Sequence, residues 1–197
     1  MGALEQYNFD GPQNAQVWPD LLARLRAQTG AAHGALDQLF APFQRDPATH
    51  LNHFLAVQLA GFSALLAACP DCDAHIAAML RNAKGALAQD TADRACYVPQ
   101  LPPPSSLHPL AVAYLSIGSR LGTEVLRRRL TDAGIAPMPL YFTPEPYQTD
   151  WRQLCATLRA TPADGALADL VVQDVLTGFN LFTLAATLVR QDEGDVC

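Results

Sequence analysis

LRAQTGAAHGALD, residues 25–37, places one histidine, His33, in the middle of an apolar helical pattern. Arg26 stands seven residues before it. Seven residues of an α-helix advance about 10 Å and complete almost two turns, so Arg26 and His33 share one face of the predicted helix. A metal ligand and a cation at this separation fit the iron and a carboxylate of one flat prosthetic group. The segment therefore predicts a heme site on a helix.

The apolar stripe around His33 predicts a first helix from about Pro19 to Phe40. The stripe consists of Leu21, Leu22, Leu25, Thr29, Ala32, Leu36 and Leu39. A lone histidine on such a face is more often a hydrogen-bonded core residue than a metal ligand. Taken alone, His33 leaves both interpretations open.

A second segment, residues 114–126, carries two glycines four positions apart, Gly118 and Gly122, within a helix predicted over 107–131. Glycine inside a helix costs roughly 1 kcal/mol against alanine, so the pair requires a physical reason. Close packing of another helix is one reason, and a bend is another. A flat macrocycle lying against bare backbone is the third, and together with His33 it predicts a heme held between two helices.

The rest of the chain is rich in helix signals and nearly without strand signals, which predicts an all-α fold of six or seven helices. The other helices are expected from Pro47 to about Cys69, over 72–89, from about Thr149, and from Thr161 to about Arg190. Proline-rich connections at 99–104 and 136–146 separate them, with Tyr141, Phe142 and Tyr147 expected to hold the second one in place. Half of the 197 residues are hydrophobic, which suits one domain over 18–190 between a flexible lead-in, 1–17, and a tail, 191–197.

The net charge of −6 argues against nucleic acid or an anionic membrane as a partner, because both require an extended basic surface. The one basic run, residues 127–129, precedes Gly134 and fits the end of a helix, where cations complement the dipole and glycine caps. The apolar stretches 54–69 and 179–189 are expected to be buried helices too short or too interrupted to span a bilayer. The acidic, amide-rich start lacks the pattern of a signal peptide, so we expect a cytoplasmic protein.

Other candidate sites are weaker. The five cysteines, an odd number without an export signal, are expected to be free thiols, and Cys69 and Cys72 to lie in a turn between helices. Their spacing would also fit a redox pair or half of a zinc site. His50 and His53 have a metal-binding spacing but lack the carboxylates of a di-iron bundle.

The two key segments together resemble the heme oxygenase family, and most closely the bacterial type encoded beside phytochromes. LRAQTGAAHGALD follows the family's opening pattern of leucine, a basic residue, threonine and then histidine four positions later. AYLSIGSRLGTEVL, residues 113–126, follows the pattern of its distal helix. A looser likeness extends over 141–158 and the last helix, with Phe179 and Phe182.

The resemblance implies a single-domain, multi-helical fold in which heme lies between a proximal helix and a glycine-containing distal helix. It implies oxidative opening of heme to biliverdin, with release of carbon monoxide and iron and with electrons from a ferredoxin or reductase. A phytochrome is the implied recipient of the product. The implied iron ligand is His33, and the implied distal wall consists of Gly118, Ser119 and Gly122. Further heme contacts would come from Arg26, Thr29, Tyr114, Arg152 and Phe179, with the two arginines on propionates.

This chain departs from the family's usual pattern at two positions. Ile117 stands where many bacterial members have glutamate, and Thr123 where many have a second small residue. Two alternatives therefore stay open beside the enzyme: a member that binds heme or a bilin without turnover, and a helical interaction module in which both glycines serve helix packing.

Overall fold

The computed structural model describes residues 17–102 and 105–195, with side chains as far as Arg190. Within these ranges the chain is all-helical and contains no strand, which confirms the all-α prediction. The elements are α1 (Leu21–Arg45), α2 (Pro47–Ala68), α3 (Ala74–Asp93), α4 (Pro109–Leu121), α5 (Thr123–Asp132), a 3₁₀ turn η1 (Leu140–Phe142), α6 (Tyr147–Ala160) and α7 (Ala166–Asp195).

Aspartates begin the first three helices. The carboxylate of Asp20 accepts a hydrogen bond from Ala23 N at 2.8 Å, and Asp46 accepts one from Thr49 N at 3.2 Å before Pro47 opens α2. Asp73 caps α3 in the same way. Each cap satisfies backbone donors that the first helical turn leaves unpaired. Gly134, at φ +73°, ends α5 as expected, in the left-handed conformation that glycine adopts without a steric penalty.

Several predicted boundaries are wrong. Helix α1 continues past Phe40 and through Pro42 to Arg45, because its last turns pack Phe40 and Phe43 against Phe54 with ring centroids 5.1 and 4.3 Å apart. Helix α7 continues into the predicted tail as far as Asp195. Residues 1–16 of the predicted lead-in and residues 196–197 lie outside the described residues, so those predictions stand as they were.

The helix predicted over 107–131 is divided at Gly122 into α4 and α5. A glycine is the residue at which a helix is most easily interrupted, proline aside. The hydroxyl of Thr123 bonds to the carbonyl of Arg120 at 2.7 Å and satisfies that acceptor beside the break. A bend was one of the three reasons offered for the glycines, and Gly122 is the position at which the helix is interrupted.

The core forms around α7, which packs against α1, α2 and α4, while α3 packs on the far side of α2. The helices that contain the two apolar stretches are longer than the stretches themselves, and by length and composition alone α2 and residues 166–190 of α7 could cross a membrane. Inside the fold, 72% and 56% of their apolar windows are buried. Such burial is typical of core helices and agrees with the predicted packing.

Two connections between helices are held in place by specific bonds. The buried carboxylate of Asp90 accepts hydrogen bonds from Leu140 N and Tyr141 N at 2.8 and 2.9 Å, which secures η1 against α3. Tyr141, Phe142 and Tyr147 are buried, as predicted for this connection. Cys69 and Cys72 do lie in a turn, but they form a disulfide, so the prediction of free thiols is wrong for this pair. The turn holds their Cα atoms 5.3 Å apart, within bonding range.

Candidate functional site

A cavity of about 560 Å³ lies on one side of α7, with α1 forming one wall and α4 and α5 forming another. Helices α2, α6 and α7 and the 3₁₀ turn close its remaining sides. The lining is mostly apolar and aromatic, with a few polar groups, which is the usual character of a small-molecule site, and the volume falls in the usual range.

His33 reaches this cavity from α1. Its ring packs edge-on against Phe179 of α7, with centroids 5.6 Å apart. Its Nδ1 lies 3.0 Å from a carboxylate oxygen of Asp37, one turn later. Metal-binding histidines commonly use one ring nitrogen in this way, which fixes the tautomer and leaves the other nitrogen for the metal. The His33 side chain is 62% exposed, so it is not a satisfied core histidine.

The glycine wall faces the same cavity. Gly118, Ser119 and Gly122 all line it. A Cβ on Gly118 would lie 3.8 Å from the Trp151 ring, and one on Gly122 would lie 3.6 Å from the Ser119 carbonyl oxygen, both ordinary contact distances. Close packing within the protein therefore does not require either glycine. At Gly118, which lies inside α4 and before the break, neither packing nor the bend supplies the reason.

Three of the predicted heme contacts, Arg26, Thr29 and Tyr114, lie close to one another. Tyr114 lines the cavity and packs on Trp151 at a centroid distance of 5.6 Å. Burial raises the pKa of Tyr114, while the charge of Arg26 and a side-chain hydrogen bond with Thr29 act in the opposite direction. Thr29 is buried, and its hydroxyl donates a hydrogen bond to the carbonyl oxygen of Leu25 at 2.7 Å. Arg26 and Thr29 thus adjoin Tyr114 but do not themselves line the cavity.

Arg152 lies outside the cavity, contrary to its predicted place among the ligand contacts. It is exposed, and its guanidinium bonds to the Gln148 carbonyl at 3.2 Å and to the Thr149 hydroxyl at 3.3 Å. Its neighbour Trp151 faces the cavity instead. Adjacent residues of a helix point about 100° apart, and here Trp151 is the one of the two that faces the cavity.

Two residues at the end of the cavity away from His33 are not among those predicted from the sequence. Gln44 and Arg129 line it there, with Arg129 Nη1 donating to the Gln44 carbonyl at 3.2 Å. The stripe His33, Asp37, Phe40 and Gln44 was a usable signal, but the predicted helix stopped at Phe40. The basic run lies near the end of α5, with Arg129 in the last turn as predicted, and Arg127 and Arg128 also pair with Glu124.

The two departures from the family pattern have separate outcomes. Ile117 is buried and does not line the cavity. Thr123 lines it, although its hydroxyl is already engaged by Arg120 O. On the opposite side of α4, Arg120 is 4% exposed, donates to the Tyr141 carbonyl at 2.7 Å and lies over the rings of Tyr141 and Tyr147.

Within the described residues, no three His, Cys, Asp or Glu side chains gather as a metal site. A heme iron needs one axial side chain, because the macrocycle supplies its other in-plane ligands. One histidine in a largely apolar cavity with two glycines on its wall is thus compatible with a metallated macrocycle, which needs a single axial ligand from the protein. The chain matches no protein-family model, no curated protein and no solved structure.

Proposed function

We propose that this protein is a heme oxygenase, which opens heme oxidatively to biliverdin and releases carbon monoxide and iron. One observation carries the proposal: His33 and the two glycines line the same apolar cavity, and packing within the protein does not require either glycine. Retaining a glycine such as Gly118 in a helix costs roughly 1 kcal/mol, and a flat ligand lying against the backbone is a reason to retain it.

In this proposal His33 is the iron ligand and Asp37 orients its ring. Gly118 and Gly122 present backbone without side chains to the other face of the ligand. Ser119, which follows Gly118, adds a hydroxyl group to the same wall. Bound heme is both substrate and cofactor, since its iron activates the oxygen that attacks its own ring. Tyr114, Trp151 and Phe179 supply apolar surface around the ring and exclude water.

The proposed reaction also requires partners. Electrons would come from a ferredoxin or a reductase, and the biliverdin would suit a phytochrome. A cytoplasmic location is part of the same proposal. Each of these rests on the resemblance of the two segments 25–37 and 113–126.

The test is a hemin titration of the wild type, His33→Ala and His75→Ala, followed by absorption spectroscopy. His75 is a matched control: it is exposed, lies on α3 outside the cavity and pairs with Asp150 at 3.1 Å. We expect a one-to-one Soret band in the wild type and His75→Ala and its loss in His33→Ala. A normal band in His33→Ala would contradict the proposal.

Turnover is tested in the same cuvette by adding ascorbate or a ferredoxin system in air. Decay of the Soret band into a biliverdin spectrum is the expected result. A second candidate, binding without turnover, is favoured because none of the described cavity-lining residues of α4 and α5 is acidic. A band that forms and persists under reductant would select that candidate. No band at all would leave the helical interaction module.

A further inference from the structure

The turn between α2 and α3 carries a pair of cysteines that the proposed function does not use. Cys69 is the C-cap of α2, and Cys72 stands directly before Asp73, the N-cap of α3. The two cysteines form a disulfide, and neither of them lines the cavity. Two cysteines separated by two residues are the arrangement that many disulfide oxidoreductases use for reversible oxidation.

We propose that Cys69 and Cys72 form a reversible thiol–disulfide couple that exchanges with an external dithiol, and that Cys72 is the sulfur that the dithiol attacks. The couple is a second site on this protein. It does not depend on the binding of heme, so it stands or falls separately from the proposed function.

Access to the two sulfurs is unequal. Cys69 is 4% exposed, whereas Cys72 is partly exposed. The other residues of the turn around Cys72, which are Pro70, Asp71 and Asp73, are all exposed. A thiolate that opens a disulfide has to reach one of its two sulfur atoms, and access is one of the factors that decide which. An external thiol therefore reaches Cys72 more easily than Cys69.

The turn has bonds of its own that do not involve the disulfide. The backbone N–H of Cys72 donates to the carbonyl of Cys69 at 3.3 Å, which closes the turn. The carboxylate of Asp73 accepts from His75 N at 2.8 Å and caps α3. A cross-link between residues so close in sequence also restricts the unfolded chain less than one that closes a long loop. The disulfide can therefore open in the folded protein, and the turn keeps the two thiols close enough to close it again.

The exchange balances as a two-electron reaction. A thiolate of the dithiol attacks Sγ of Cys72, forms a mixed disulfide there and expels Cys69 as a thiolate, which takes up a proton. The second thiol of the reagent then attacks its partner sulfur in the mixed disulfide and releases Cys72 as a thiol. The dithiol is oxidised to a cyclic disulfide, and the protein gains two electrons and two protons.

The first measurement titrates the folded wild type with mixtures of reduced and oxidised dithiothreitol, without denaturant. This probe is an uncharged dithiol, whereas the carboxylates of Asp71 and Asp73 would repel an anionic one. Free thiols are then alkylated, and peptide mass mapping assigns the label to each cysteine. We expect the labels on Cys69 and Cys72 to change together and reversibly with the mixture, while circular dichroism shows the same helix content at both ends of the titration.

Cys96 is the matched control within the same chain, because it is partly exposed like Cys72 but has no disulfide partner. Its label should not follow the composition of the mixture. A label that did follow it in parallel with Cys69 and Cys72 would show a general effect of the reagent and would overturn the assignment to this pair.

Single variants identify the sulfur that is attacked. Cys69→Ser leaves Cys72 as a free thiol, and Cys72→Ser leaves Cys69. We expect dithiodipyridine, an uncharged disulfide, to modify Cys72 in the first variant at least about tenfold faster than Cys69 in the second, because the exchange rate depends on access. The buried Cys155 gives the rate of an inaccessible thiol in each sample.

Three results would overturn the inference. The thiols could stay free in oxidised dithiothreitol, the disulfide could open only after urea is added, or Cys69 could react as fast as Cys72. The first two results come from the wild type, so a variant that fails to fold does not prevent a decision on whether the couple is reversible.

Discussion

Two pairs of glycines in this protein occupy opposite situations. Gly61 on α2 and Gly178 on α7 lie where helices meet so closely that an added Cβ would overlap the ring of Phe182 or the end of Leu115. Gly118 and Gly122, on the helix that borders the cavity, meet no such obstacle. The first pair serves the packing of the bundle, and the second pair leaves open a space that the bundle does not fill.

This difference bears on two of the explanations that the sequence leaves open. Small residues four apart on one helix, taken alone, favour close packing, and a ligand becomes a competing explanation only together with His33. In the structure, close packing belongs to glycines that lie on different helices and have no characteristic spacing. The spaced pair is the one beside the cavity, and this agrees with a role in ligand binding.

The largest effect on stability is expected from Gly61→Ala. The new methyl group would meet a ring that is itself packed edge-on against Phe62, with centroids 6.1 Å apart. Overpacking of this kind costs about 1–3 kcal/mol, and the better helix propensity of alanine returns up to about 1 kcal/mol. We expect a net loss of roughly 1–2 kcal/mol in the free energy of unfolding, measured by urea denaturation.

Gly178→Ala is the matched control for that prediction. Its methyl group would meet the flexible end of Leu115, which can change rotamer, so the net change should stay within about 0.5 kcal/mol. If both variants were equally destabilised, the rigidity of the Phe182 ring would not be the cause. If neither changed stability, the distinction between the two glycine pairs would be lost.

A smaller effect of opposite sign is expected from Gly118→Ala. At 3.8 Å from Trp151 the new methyl group makes an ordinary contact, so the helix gains about 0.5–1 kcal/mol of stability. The same methyl group occupies the wall on which the ligand would lie, so hemin affinity should fall. Denaturation and a hemin titration of the same sample measure both. A stabilised variant with unchanged hemin affinity would remove the ligand explanation for this glycine.

Much of the fold could be predicted from the sequence because its signals are local. Asp46 followed by Pro47, and Gly134 after a basic turn, mark helix ends through bonds within a few residues. The end of α1 was misplaced because tertiary packing of Phe43 on Phe54 extends the helix beyond its local signals. The close approach at Gly61 had no signal, since its partner Phe182 is distant in sequence.

The residues of the candidate site also fall into those that local sequence patterns predict and those that depend on tertiary packing. His33 and Gly118 could be paired in advance because each segment carries a recognisable pattern of its own. The sequence could not show that Trp151 and not Arg152 lines the cavity, because the rotation of α6 depends on what the helix packs against. Arg129 was missed because its relation to Gln44 arises only when α5 and the end of α1 are brought together.

The subtlest prediction concerns the side of α4 opposite the glycine wall, where Arg120 lies over the ring of Tyr147. Burial, and then a hydrogen bond to Glu145, raise the pKa of Tyr147 to about 12, although the nearby Arg120 opposes the shift. Because this pKa is above the ordinary value near 10, the folded protein holds the proton more tightly than the unfolded chain does. The stabilisation is complete below about pH 10 and is lost as pH rises toward 12. Urea denaturation should find wild type more stable than Tyr147→Phe at pH 9, with the gap narrowing toward pH 12. If the difference in stability between the two proteins did not change with pH, the phenol of Tyr147 would ionise as readily in the folded protein as in the unfolded chain.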